Sequence, residues 1–242
     1  MIKGIVFDKD GVLVDFDKTW IVMLLNMAAE WAGGDKVEET RLLETAGYDA
    51  DTGSFFSGSV WAAGNTADLV DVWDTTGVVA ERQKLEAFIN QRCLDCEIIP
   101  MFAPAQLQEL FRGLADFGLV LGLTTNDVEA SAKRTMDDFG LSPFMSLILG
   151  YDSVKNPKPA ADPVLAFCEH NKLKPSQMLV VGDNVHDMEM AMAANVAVRV
   201  GVLSGNASAD DLRPVADFLL DSVMDLPRLL TSEKLIEKTD VL

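Results

Sequence analysis

Cysteine is scarce in this chain: Cys93, Cys96 and Cys168 are the three in 242 residues. An odd, sparse count is not a disulfide framework and suits a reducing compartment. Cys93 and Cys96 form a C-x-x-C pair, but no second pair and no nearby histidine completes a zinc site. Both therefore read as residues near a helix end. Histidine is limited to His170 and His186. Positive charge is also short, with 20 Lys and Arg against 38 Asp and Glu and a formal net charge of -18. A surface that acidic repels nucleic acid and anionic membranes, so neither is expected as a partner. No apolar run approaches the roughly 20 residues that span a bilayer. The opening run reaches an acidic residue, Asp8, too early for a signal peptide. The expectation is a cytoplasmic monomer or homodimer acting on a small molecule. Any anionic substrate must be met by positive charge supplied locally.

Repeats and low-complexity segments are absent as well, and what remains is a change of texture along the chain. Ile2 to Phe7 is a short apolar run that stops at Asp8, Lys9, Asp10 and Gly11, which predicts a buried strand and a turn. From 15 to about 97 the pattern is helical. Thr19 to Trp31 is apolar nearly all round, Lys36 to Ala46 and Ala80 to Arg92 are helical, and no convincing strand is visible. Between them Gly53 to Gly64 is rich in Gly and Ser and carries Phe55, Phe56 and Trp61.

After Pro100, apolar strands alternate with helices. Strands are expected near Leu119 to Thr124, Ser146 to Leu149, Met178 to Val181, Ala197 to Val202 and Asp217 to Leu220. Helices are expected at Ala105 to Phe117, Asp127 to Phe139 with Asp127 able to cap it, Ala161 to His170 and Asp187 to Ala194. That alternation predicts a parallel sheet covered on both faces. The fold class is α/β: a doubly wound, Rossmann-like core of residues 1–14 and 98–242, with a helical cap of residues 15–97 inserted after the first strand.

Such sheets bind ligands beyond the carboxyl ends of their strands. The residues there are Asp8 and Asp10, then Thr125 and Asn126, then Lys158 in the loop before the Ala161 helix, and finally Asp183 and Asp187. The set holds carboxylates for a cation, a hydroxyl and an amide for phosphate oxygens, and one ammonium.

The same residues resemble the four motifs of the haloacid dehalogenase superfamily. Phe7 to Leu13 resembles the first motif, Leu123 to Asn126 the second, Asn156 to Pro159 the third, and Gly182 to Asp187 the fourth. Val12 departs from the pattern, where many members have Thr. The resemblance implies a Mg²⁺-dependent phosphatase in which Asp8 is the nucleophile and forms an aspartyl-phosphate. It implies Asp8, the backbone carbonyl of Asp10, and Asp183 as metal ligands, with the three carboxylates converging around one ion. Asp10 would be the general acid–base, a group that the dehalogenating members lack. Thr125, the Asn126 backbone and Lys158 would hold the phosphate, with Lys158 also holding Asp8. Asn184 and Asp187 would orient the metal's waters or Lys158.

In the helical insertion, Gly58 to Gly64 resembles the family's specificity loop. Trp61 would pack on the substrate, against the alternative that it fills the cap's own core. Lys18 and Trp20 are expected to face the site, with Lys18 either meeting a second anionic group such as a carboxylate or standing as an exposed linker lysine. Small acidic phosphates such as phosphoglycolate are what this suggests, while a sugar phosphate or a nucleotide monophosphate fits the core residues equally well. A phosphosugar mutase of the same superfamily and a catalytically silent binding module are the alternatives. His186 and His170 are read as bystanders.

Overall fold

Strand β1, Gly4–Phe7, is buried along its whole length, with Ile5 and Phe7 facing one apolar cluster and Val6 facing another. Successive side chains of a strand point to opposite faces, so burial of both sets requires cover on both sides. The computed structural model, which describes residues 1–56 and 58–236, supplies that cover.

After β1 come helices α1 (Phe16–Trp31) and α2 (Lys36–Ala46), a hairpin of β2 (Tyr48–Asp49) and β3 (Ser54–Phe55), and helices α3 (Val60–Ala63), α4 (Thr66–Trp73) and α5 (Val79–Asp95). The chain then alternates through α6 (Pro104–Asp116), β4 (Val120–Thr124), α7 (Glu129–Asp138), β5 (Met145–Leu149), α8 (Asp162–Asn171), β6 (Met178–Gly182) and α9 (Val185–Ala193). It ends in β7 (Val198–Val202), α10 (Ala209–Leu212), β8 (Phe218–Leu220) and α11 (Leu226–Ser232).

The six-stranded sheet runs β5-β4-β1-β6-β7-β8, every neighbouring pair parallel. From β1 the chain winds outward to β4 and β5, then returns to β6 on the other side. The ends of β1, β4 and β6 therefore flank the point where strand order reverses, where a crevice opens. Helices α6, α7 and α11 pack one face through Leu107, Phe111, Met136 and Leu230. Helices α8 and α9 pack the other through Val164, Phe167 and Met190. This is the predicted doubly wound, Rossmann-like sheet with helices inserted after the first strand. Residues 237–242 of the expected core segment, and Ser57 of the Gly/Ser stretch, lie outside the described residues.

Helices α1, α2, α4 and α5 share a separate apolar core built on Leu24, Met27, Leu42, Leu69, Trp73 and Leu85. Trp73 is 1% exposed, and its indole Nε1 donates to the Leu42 carbonyl at 2.9 Å, so its one polar atom is satisfied. Truncating such a side chain costs about 3–5 kcal/mol. Asp15 caps α1 by accepting from Lys18 N, and Asp35 caps α2 by accepting from Val37 N and Glu38 N.

The structure departs from the sequence reading in places. A hairpin of two-residue strands, α3 and α4 lie where no regular element was expected beyond the three long helices. Helix α7 starts at Glu129, whose N–H donates to Asp152 rather than to Asp127. The Cys pair is as read: Cys93 is in the last turn of α5, Cys96 caps it, and both are free thiols.

Candidate active site

Strand β1 delivers Asp8 to the crevice as soon as it ends. β6 delivers Asp183 directly beside it, because the register pairs Phe7 with Val181. The carboxylates of Asp8, Asp183 and Asp187 all offer an oxygen within 4.8 Å of one another, and all three residues are buried. Lys158 reaches between two of them from the loop before α8. Its Nζ donates to Asp8 Oδ1 at 2.5 Å and to Asp187 Oδ1 at 2.7 Å. Asp187 also accepts from Asn184 N at 3.1 Å through its other oxygen, which fixes the first turn of α9.

Asp183 is packed by two glycines. Gly11 has φ +74°, which favours glycine, and a Cβ there or at Gly205 would collide with the Asp183 carboxyl. Asp183 Oδ2 in turn accepts from Asn206 N at 2.9 Å. The Ser204 hydroxyl, one residue before Gly205, donates to the Gly11 carbonyl at 2.7 Å.

Burial pushes the Asp8 carboxyl above its ordinary pKa, against the pull of Lys158, and Asp187 pushes the same way. Asp183 is driven well above its usual range by burial, then by Asp8 and Asp187. Burial alone would lower Lys158, but Asp187 and Asp8 outweigh it and its pKa is raised. Three buried carboxylates with one ammonium among them are short of positive charge. A hard divalent cation with oxygen ligands, such as Mg²⁺, fits that shortage and that donor set.

Asp10 is arranged differently from the expectation. Its carboxylate is not in the three-carboxylate group; Asp187 takes that place. Asp10 Oδ1 instead accepts from the Trp20 indole Nε1 at 2.6 Å, and both its oxygens lie within 3.1 Å of Lys9 Nζ. Lys9 is fully buried, is 3.1 Å from Asp127 Oδ2, and lies 4.8 Å from the centroid of the Trp20 ring. Burial raises the Asp10 pKa, and Lys9 opposes it. Sequence reading missed Lys9. Strand periodicity gave no signal, because β1 ends at Phe7 and is buried on both faces.

Asp8, Asp10, Thr125, Asn126 and Asp183 line one cleft of about 690 Å³, measured out to its open mouth. Thr125 is buried, with its N–H donating to the Leu149 carbonyl at 3.0 Å and its Oγ1 accepting from Asp127 N at 3.1 Å. The Asn126 side chain crosses to the helical layer and donates to the Ala63 carbonyl at 2.9 Å. Lys158, Asn184 and Asp187 sit beneath, buried. His186 also lines the cleft; burial, then Lys158, lowers its pKa to about 3, so the imidazole is neutral.

The helical layer closes the other side. Trp61 meets Trp20 edge-on at 6.2 Å and stacks with Phe55 at 6.2 Å, so it both packs in the helical core and faces the cleft. Trp20 faces the cleft as expected, although its N–H is committed to Asp10. Lys18 does not face it. Its side chain is 72% exposed and pairs with Asp15 at 2.7 Å on the outer surface. Residues two apart on a helix are about 200° apart around it, so Trp20 inward places Lys18 outward.

Comparison with known proteins follows the geometry. The family model described as haloacid dehalogenase-like hydrolase matches residues 5–200. The chain is 26% identical to an N-acetylmuramic acid 6-phosphate phosphatase of Pseudomonas putida, over 96% of this chain and 97% of the relative. It is 27% identical to a phosphoglycolate phosphatase of Escherichia coli K12, over 93% of this chain and 91% of the relative. Among solved structures, a haloacid dehalogenase-like family hydrolase from Streptococcus pneumoniae superposes with TM-score 0.68 at 18% identity. That superposition covers 95% of this chain and 98% of the other.

Proposed function

The chain belongs to the haloacid dehalogenase-like hydrolase family, and from that premise we propose that it is a phosphatase that hydrolyses a small-molecule phosphate monoester through an aspartyl-phosphate on Asp8. The observation that supports this most is the ammonium of Lys158 held between Asp8 and Asp187, beside Asp183, beneath the cleft that Asp8 and Asp183 line. A phosphate monoester is a dianion, so a nucleophilic carboxylate reaches it only where local positive charge offsets both.

In this reading Asp8, Asp183 and the backbone carbonyl of Asp10 hold Mg²⁺, which when bound supplies the charge that lets carboxylate and phosphate meet. Asp8 attacks phosphorus as the bond to the leaving oxygen breaks. Asp10, held by Trp20 and Lys9, gives that oxygen its proton. Water then attacks the phosphoryl group, Asp10 takes the proton back, and phosphate leaves with Asp8 restored. Thr125 donates its hydroxyl and Asn126 its N–H to phosphate oxygens. Lys158 neutralises the phosphate and aims Asp8. Asn184 and Asp187 keep Lys158 and the metal's waters in place.

Residues 15–97 act as a cap over a core of 1–14 and 98–242, excluding water and contacting the leaving group. No described helix is long and apolar enough to cross a membrane, and we place the enzyme in the cytoplasm. The relatives' names bring phosphoglycolate and N-acetylmuramic acid 6-phosphate forward as substrates to assay. The test is phosphate release from an aryl phosphate with Mg²⁺, repeated with EDTA and with Asp8→Asn. Both changes should remove the activity. Turnover that survives either one excludes the mechanism.

A further inference from the structure

The two walls of the cleft differ in charge. The sheet side presents Asp8, Asp10, Asp127 and Asp183, together with Thr125, Asn126 and His186. The helical side presents apolar side chains such as Phe16, Trp20, Trp61 and Leu69, and its polar lining residues Asn65 and Thr66 are uncharged. Among the described residues, no lysine or arginine lines the cleft.

The nearby cations are already committed. Lys158 serves Asp8 and Asp187, and Lys9 is fully buried between Asp10 and Asp127. Lys18 points outward, Arg92 pairs with Glu30, and Arg134 donates to the Leu94 and Cys96 carbonyls. A second anion on the substrate would enter a pocket lined by four carboxylates, with no lysine or arginine in that lining to meet it. An unpaired buried charge is among the costliest groups to bind.

Apart from the carboxylates, the buried polar atoms at the cleft that lack a hydrogen-bond partner are uncharged. The Trp61 indole Nε1 is a buried donor without a partner, and Asn126 Oδ1 and His186 Nδ1 are buried and likewise unpartnered. Each is suited to a neutral hydroxyl, and the aromatic and aliphatic wall is suited to an apolar face.

Resting on the hydrolase reading above, we infer that the substrate's leaving group carries no second anion: it is a neutral alcohol with an apolar or ring face and a hydroxyl. The phosphate is then the substrate's only charged group. A phosphorylated carboxylic acid such as phosphoglycolate is a poor substrate.

A matched panel tests this with the full chain and Mg²⁺. Phosphoglycolate is compared with ethylene glycol monophosphate, which replaces its carboxylate by a hydroxymethyl group. 4-Carboxyphenyl phosphate is compared with 4-(hydroxymethyl)phenyl phosphate. In each pair kcat/KM should favour the neutral member by about tenfold or more. In Trp61→Phe, KM for the two hydroxymethyl substrates should rise about fivefold more than KM for phenyl phosphate, since the lost ring area is common to all three and the lost indole N–H matters only where there is a hydroxyl to meet. Phosphoglycolate or the carboxyphenyl ester used as well as its partner overturns the inference and leaves the hydrolase reading standing. Release from no member of the panel removes the hydrolase reading, and the inference falls with it.

Discussion

The sheet end and the helical layer of this molecule are built on different rules. At the sheet end, buried parallel strands fix where each functional residue emerges. Asp8 and Asp183 are neighbours because β1 and β6 are in register, and no side-chain packing between them is needed. In the helical layer, position follows from which face of a helix a residue occupies. There Trp20 and Lys18, two residues apart, go opposite ways. The sheet end gathers charge at the cleft, and the face that the helical layer turns to the cleft carries none. The proposed function assigns phosphate chemistry to the first and choice of leaving group to the second.

The largest effect should come from the sheet end. Lys158→Met leaves Asp8 and Asp187 facing each other without their shared ammonium. It should lower kcat on every substrate by on the order of 10³. A variant whose loss depends on the leaving group would break the division between the two regions. Steady-state kinetics on two unlike substrates decides it.

Lys9→Met should act mainly on stability. It strands Asp10 and Asp127 as buried carboxylates, and removing one partner of a buried pair costs about 3–5 kcal/mol. Urea unfolding should show the midpoint falling at constant m-value. Adding Asp127→Asn should recover part of the loss, because one of the stranded charges goes with it.

Trp20→Phe sharpens the comparison, since Trp20 is a helical residue that touches the chemistry. Losing its 2.6 Å bond to Asp10 should lower kcat by about tenfold or somewhat more, with KM little changed. A change confined to KM would assign Trp20 to substrate contact alone.

The smallest effect is far from the cleft. Arg199 donates to both oxygens of Asp217, at 2.7 and 3.1 Å, and this pairing lowers the Asp217 pKa. The pair is partly exposed, so Asp217→Asn should cost at most about 0.5 kcal/mol. A lowered folded pKa gives stability above the unfolded value, and it is lost as pH falls through the folded one. The melting temperatures of wild type and variant should therefore differ slightly at pH 7 and converge below about pH 4.

The sheet end was legible in the sequence because each strand is a short apolar run that stops at a polar residue. Phe7 and Asp8, Val181 to Asp183, and Thr124 to Asn126 all read that way. The helical layer was less so. The hairpin strands are two residues each, too short to show alternation. Helix α4 carried a signal in its capping box, where Asn65 and Asp68 cap each other, but Gly and Ser nearby masked it. Lys18 was misplaced because facing depends on helix phase, which nearness to the first motif does not set. Asp127 looked like a cap because Asp before a helix usually is one. Its carboxylate instead answers Lys9, a partner 118 residues away that only the folded sheet brings near.

The most direct test of the account is the covalent intermediate. Asp10→Asn should retain the Asp8 nucleophile but lack the base that activates water. Mixed with Mg²⁺ and 4-nitrophenyl phosphate, whose phenolate leaves without a proton from Asp10, then quenched in acid and digested, it should carry one phosphoryl group on the peptide containing Asp8. Adding Asp8→Asn should abolish the label. Wild-type phosphate release with no phosphoryl group ever captured at Asp8, or with the label on another residue, would contradict the account.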